Sequence, residues 1–109
     1  MSRNDRDRLC DVLVACSAIR SYLARADIDG DLVFYAIRIR LVEVGEAIKD
    51  LDPKQLESEP EVPWNDIARM RDFLTHRYFD TAHSIVFTTA RNDIPVLVAA
   101  VERLLSRFE

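Results

Sequence analysis

Apolar residues recur at helical spacing along nearly the whole chain. Leu9, Val12, Leu13, Cys16, Ile19 and Leu23 step by threes and fours, which predicts an amphipathic helix from about residue 4 to residue 26. Asp29-Gly30-Asp31 reads as a turn. Phe34, Ile37, Leu41, Val44, Ile48 and Leu51 then follow at an unbroken 3-4-3-4-3 spacing, the pattern of a helix packed antiparallel in a bundle. Residues 50–63 hold three of the four prolines and five acids, so they form a connector. Within it, Asp52-Pro53-Lys54-Gln55 suits one short helical turn, because aspartate caps and proline fits the first helical position. After Pro63 a third long helix is expected, with Trp64, Ile67, Met70, Arg71, Leu74 and Tyr78 on one side and fraying near Phe79-Asp80. Residues 81–91 predict a short helix with Ile85, Val86 and Thr89 on one face. Asn92-Asp93-Ile94-Pro95 reads as a fresh helix start, opening a last helix that bears Leu97, Val98, Val101, Leu104, Leu105 and Phe108. The expected fold class is all-α: an antiparallel helical bundle of four long helices plus one or two short ones, in a single domain spanning 1–109.

The second helix has a further stripe, Tyr35, Ile39, Val42 and Glu46, well over 100° from the first by the helical step. Two readings follow. Either this is a central helix buried on two sides, or the stripe meets a second copy of the chain in a homodimer. Glu46, the acid on that stripe, then either pairs with an arginine across the interface or faces water.

Composition narrows the classes. Hydrophobic residues at 49% and charged residues at 31% exclude a disordered chain. Only two glycines, Gly30 and Gly45, are present, too few for a phosphate-cradling loop, so P-loop and Rossmann readings drop out. The net charge of −4 counts against a protein that coats nucleic acid, though not against a local basic pocket. No apolar run approaches the roughly 20 residues that span a bilayer, and Met1 to Arg8 are not followed by the apolar core of a signal peptide. The expectation is a cytoplasmic protein with no membrane partner. Cys10 and Cys16 lie six apart on one helix, too far for a disulfide, and read as small buried hydrophobes in a reducing compartment.

The densest cationic stretch of this acidic chain is Arg69-Met70-Arg71-Asp72-Phe73-Leu74-Thr75-His76-Arg77-Tyr78-Phe79. Arg71 and Tyr78 are seven apart and share a helix face. Asp72 and His76 are four apart, the spacing at which side chains touch, so Asp72 is expected to fix the imidazole tautomer. Arg71 and His76 are five apart, about 140° around a straight helix. They converge on one ligand if the helix ends or bends near His76, or if a second subunit completes the site. Cleavage of RNA by its own 2′-hydroxyl needs a base, an acid and positive charge on the phosphoryl oxygens. Histidine serves the first two roles and arginine the third, with no metal or cofactor required. One histidine per site is one too few, and a two-fold dimer would supply the second copy of His76. Arg69 and Arg77 are candidates for steering phosphate. His83 reads as an ordinary helix-start residue.

Arg71-x-x-x-x-His76-x-Tyr78 resembles the R-x4-H-x-Y motif of the HEPN superfamily in its HepT-like form. Gly45-Glu46-Ala47 and the lead-in Trp64…Ile67…Met70-Arg71-Asp72 are also similar to that family, and the similarity spans residues 5–106. The resemblance implies a HEPN-type bundle forming a homodimer. It implies a metal-independent endoribonuclease toxin of a type VII-like toxin–antitoxin system, with Arg71, His76 and Asp72 at a shared cleft. It also implies a partner, a minimal nucleotidyltransferase antitoxin (MntA-like), that inactivates the toxin by AMPylation of Tyr78. A packing tyrosine at the dimer seam is the plainer reading of Tyr78. Asparagine commonly follows the motif arginine where this chain has Asp72, and an acid there partly cancels the cationic cleft. The rival functional reading is a non-catalytic helical dimer that binds nucleotide and regulates a partner nucleotidyltransferase.

Overall fold

A computed structural model describes residues 4–25, 30–76 and 83–108, and all regular structure among them is helical. The order is α1 (Asp5–Leu23), α2 (Gly30–Lys49), a short α3 (Pro53–Glu57), α4 (Trp64–His76), α5 (His83–Thr88) and α6 (Ile94–Ser106). Local chemistry sets several ends. The Asn4 side chain accepts from the Asp7 N–H at 2.9 Å to cap α1, with Asp5 and Asp7 favouring the positive end of the helix dipole. Asp52 caps α3 through the Lys54 N–H at 3.0 Å, and Pro53 occupies the first turn as its spacing predicts.

Helix α2 lies at the centre, packed against α1 on one side and α4 on another, while α6 closes over α1. The apolar stripe read from the sequence is its buried face: Phe34, Ile37, Leu41, Val44, Ile48 and Leu51 are all in the core. Leu9, Val12, Cys16 and Ile19 meet it from α1, Leu74 from α4, and Leu97, Val101 and Leu104 from α6. Burial pushes the Cys16 thiol up to about 12, against a smaller opposing effect of Arg20, so it behaves as the inert small hydrophobe expected. Cys10 does not: it is exposed.

Other expectations need correcting. The turn read at Asp29-Gly30-Asp31 does not extend to its last two residues, since α2 already begins at Gly30, with Asp31 in its first turn. Ile85 and Phe108, expected on core faces, are exposed. The fresh start expected at 92–95 is instead a continuation. From residue 83 to residue 106 the chain stays helical, passing from α5 to α6 through a π-helical turn at Thr89–Asp93. Pro95 explains the change of pitch. It has no N–H for the Arg91 carbonyl and its ring crowds that group, and the wider turn just upstream, where the Ile94 N–H reaches the Thr89 carbonyl, absorbs the mismatch. The resulting helix, Ser84–Ser106, is long and apolar enough by length and composition to cross a membrane, but its Val86, Ala90, Ile94, Leu97, Val101 and Leu104 are buried inside this fold.

The acidic connector also departs from expectation. Glu59, one of the five acids of the connector, is buried and accepts three hydrogen bonds: from Arg103 Nη2 at 2.7 Å, Arg103 Nε at 2.9 Å and Arg107 Nη2 at 3.0 Å. Its carbonyl accepts from the Trp64 indole N–H at 2.9 Å. The connector is thereby clamped to the end of α6, and the start of α4 is clamped to the connector.

The approach of α2 to α4 is set by one residue. A Cβ added to Gly45 would collide with Arg71 Cβ and lie 3.1 Å from Arg71 Cγ, so the helices meet closer than an alanine permits. Gly45→Ala is expected to lower stability by about 1–3 kcal/mol, despite the ~1 kcal/mol that alanine ordinarily gains over glycine in a helix. Urea denaturation reads this directly, and an unchanged or higher midpoint contradicts the packing.

The Glu59 cluster predicts a pH effect. The hydrogen bond from Arg103, with help from the charges of Arg103 and Arg107 and against the cost of burial, holds the Glu59 carboxyl below its ordinary 4.5. Its contribution to stability is therefore complete above that value and is lost as pH falls through the lowered one. Glu59→Gln should melt earlier than the parent at pH 7, with the gap narrowing below 4.5. A gap that widens on acidification would contradict this assignment.

Candidate active site

Helix α4 presents the candidate residues, and α2 holds them in place. Arg71 is half-buried, its stem pressed on Gly45. Its Nε donates to Glu46 Oε1 at 2.5 Å, Nη2 pairs with the same oxygen, and Nη1 donates to Asp72 Oδ1 at 2.7 Å. The hydrogen bonds to Asp72 and Glu46 both favour the guanidinium and raise its affinity for its proton further. Glu46 thus pairs with an arginine, as one sequence reading held, but within its own chain rather than across an interface.

Asp72 differs from expectation. Its carboxylate Oδ1 is engaged by Arg71, and His76 acts on it only as a nearby charge. The Arg71 hydrogen bond is the main cause of its lowered affinity for a proton, with smaller contributions from Arg71, Lys49 and His76 as charges. Lys49 of α2 is therefore part of this electrostatic neighbourhood. It sits three residues beyond Glu46, so the same helix surface supplies both.

His76 is exposed and is the last described residue of α4. Two contacts shape the helix just before it. The Thr75 hydroxyl lies 3.0 Å from the Arg71 carbonyl and 3.1 Å from the Asp72 carbonyl, a back-bonding arrangement that tends to bend helices. From α2, Arg38 Nη1 donates to the Leu74 carbonyl at 3.0 Å. Neither Arg38 nor Lys49 stands out in the sequence as a site residue. The available signal was spacing: Arg38 and Gly45 are seven apart and share one face of α2.

The remaining sequence candidates divide. Arg69 pairs with Asp66 at 2.5 Å in solvent and, two residues before Arg71, points to the other side of α4. Arg77 and Tyr78 lie outside the described residues. On the second stripe of α2, Tyr35 and Ile39 are half exposed at 52% and 55%, so the helix is not buried on two sides at that end. Val42 is partly buried.

Chemically, the arrangement offers a guanidinium already positioned by a carboxylate pair, a lysine nearby and an accessible imidazole further along the same helix. Such a set can grip a phosphodiester and move protons beside it. Among the described residues, no group of three or more His, Cys, Asp or Glu side chains could hold a metal ion.

The Ribonuclease HepT-like family matches residues 12–104. A protein of Thermococcus cleftensis named Probable ribonuclease HepT is 32% identical over 108 residues, covering 95% of this chain and 98% of that protein. A protein of Caldanaerobacter subterraneus subsp. tengcongensis, provisionally named an RNase, is 39% identical over 70 residues, covering 63% of this chain and 62% of that protein. Another with an RNase name, from Methanocaldococcus jannaschii, is 35% identical over 83 residues, covering 75% of this chain and 71% of that protein. No solved structure matches the chain. The family match runs from the second turn of α1 into the last turns of α6 and encloses Gly45, Glu46, Arg71 and His76, and the chain therefore belongs to the HepT-like ribonuclease family of the HEPN superfamily.

Proposed function

We propose that this chain cleaves RNA as a homodimeric endoribonuclease toxin that needs no metal, silenced by a nucleotidyltransferase antitoxin. The observation that carries the proposal is the Glu46-oriented Arg71 with an accessible His76 five residues further along the same helix. In the reaction proposed, His76 of one subunit takes the proton of a ribose 2′-hydroxyl. The freed oxygen attacks the adjacent phosphorus, and the bond to the 5′-oxygen breaks. The leaving oxygen is protonated by His76 of the second subunit, and the RNA strand ends in a 2′,3′-cyclic phosphate. Arg71 donates to the non-bridging oxygens as charge gathers on them, leaving Glu46 for the phosphoryl group. Asp72 and Lys49 set the local field around that exchange.

Control is assigned to Tyr78. The antitoxin would join its phenolic oxygen to the α-phosphorus of ATP with release of pyrophosphate, placing an AMP group next to the cleft. The added phosphate competes for Arg71 by the same chemistry that binds substrate. The second reading, a non-catalytic dimer that binds nucleotide and regulates the transferase, draws support from one observation: two carboxylates already neutralise Arg71.

The two readings part on a single comparison. Wild type and His76→Ala, each expressed without partner, are scored for growth arrest and for cleavage of total RNA with chelator present. The proposal expects cleavage by wild type and a loss of roughly 10²–10⁴-fold in His76→Ala, the usual worth of a general acid or base. Arg71→Ala should lose roughly 10²–10³-fold, the usual cost of removing one donor to a developing oxyanion. If wild type leaves RNA intact but binds ATP or AMP in an Arg71-dependent way, the regulatory reading replaces this one. Light scattering should give twice the 12.6 kDa chain mass, and a monomer at working concentration would remove the two-histidine scheme.

A further inference from the structure

The reach of an imidazole depends on how the backbone beneath it is held. In α4, the Leu74 carbonyl, two residues before His76, is held at 3.0 Å by Arg38 Nη1, from a residue 36 positions away on α2. Arg38 is half-buried, and Leu74 itself is fully buried. On α2, Arg38 lies seven residues, two turns, from Gly45. One face of α2 therefore meets α4 twice: at Gly45 and Glu46, where Arg71 is seated, and at Arg38, two residues before His76.

We infer that Arg38 is a positioning residue for the RNA-cleavage reaction: its hydrogen bond to the Leu74 carbonyl ties the α4 backbone two residues before His76 to α2, and so fixes the place of His76 relative to Arg71. The inference rests on the proposed role of His76 in RNA cleavage. Arg38 does not touch substrate in this scheme. It acts through the backbone that carries the imidazole, so its loss affects turnover rather than binding.

The experiment compares wild type, Arg38→Gln, Arg38→Lys and a control, Arg40→Gln, which removes a half-buried arginine two residues on that pairs with Glu43 and Tyr22 and touches nothing on α4 among the described residues. Cleavage of a defined RNA oligonucleotide gives kcat and KM, and NMR of the free proteins follows the Leu74 carbonyl carbon and the His76 imidazole. Arg38→Gln is expected to lower kcat by about tenfold or more with KM within about twofold, because small misplacements of reacting groups cost that much in rate. Arg38→Lys, which can still donate to one carbonyl, should recover most of that loss, and Arg40→Gln should match wild type. Both NMR signals should shift in Arg38→Gln and much less in Arg38→Lys. The inference is overturned if kcat of Arg38→Gln stays within about twofold of an active wild type, or if kcat falls while the Leu74 and His76 signals stay in place. If wild type cuts no RNA, the reading of His76 as a ribonuclease group fails on its own. The NMR signals then still decide whether Arg38 holds the α4 backbone at Leu74, and unmoved signals overturn that too.

Discussion

Everything in the site depends on α2 and α4 lying closer together than a methyl group allows. Glycine inside a helix costs about 1 kcal/mol relative to alanine, and Gly45 sits inside the central helix of the bundle, little more than a turn before its end at Lys49. Its lack of a side chain lets the Arg71 stem rest directly on α2 backbone. From there the guanidinium reaches Glu46 in the next position. With any side chain at 45 the helices would separate, and Arg71 would reach Glu46 only by changing its own conformation. The same seam buries Leu74 and brings Arg38 to its carbonyl, so packing and site geometry are two aspects of one close approach.

Charge compensation follows from that approach. An unpartnered guanidinium in a half-buried seam would be costly, and here both branches of its fork are met by carboxylates. Glu46 and Asp72 together act as a resident anion, keeping Arg71 oriented while no phosphate is bound. On the proposed reading a phosphodiester must outcompete them, which makes the local field as important as the contacts. Lys49 adds positive charge from the same face of α2. An acidic chain can in this way hold an oriented guanidinium without a broadly basic surface. The protein's overall charge of −4 says little about this one seam.

Much of the fold was legible because it is written in local periodicity. The 3-4-3-4-3 run on α2 is a core face along its whole length, and the Asp52-Pro53 pair starts a helix where capping chemistry says it should. What was not legible depends on partners distant in sequence or on competition between local rules. Glu59 looks like one acid among five in a proline-rich connector, and its partners Arg103 and Arg107 stand 44 and 48 residues away. Asn92-Asp93-Ile94-Pro95 is a good helix start by local rules. The apolar row Val86, Ala90, Ile94, Leu97 is buried continuously, however, so tertiary packing keeps the helix intact and a π turn takes up the proline. For the site, the motif spacing drew attention to Arg71 and His76. It also drew an Asp72–His76 bond from i,i+4 geometry, where the adjacent guanidinium takes the carboxylate instead. Arg38 was invisible because its partner is a backbone carbonyl 36 residues away on another helix.

The contact at Leu74 bears on the angular problem posed by the motif itself. Five residues on a straight helix separate two side chains by about 140°, too far to share one phosphate. In this fold α4 is helical through His76, the Thr75 hydroxyl turns back on the Arg71 and Asp72 carbonyls, and Arg38 holds the Leu74 carbonyl from outside. The backbone that carries His76 is thus tied to α2 at Leu74, while Arg71 is set one turn earlier by its own contacts with α2. The two residues are positioned by different contacts, and the motif supplies one imidazole per chain. On the proposed reading, a two-fold partner supplies the second imidazole. The half-exposed Tyr35 and Ile39, on the helix that positions Arg71, give such a partner an apolar surface next to the seam.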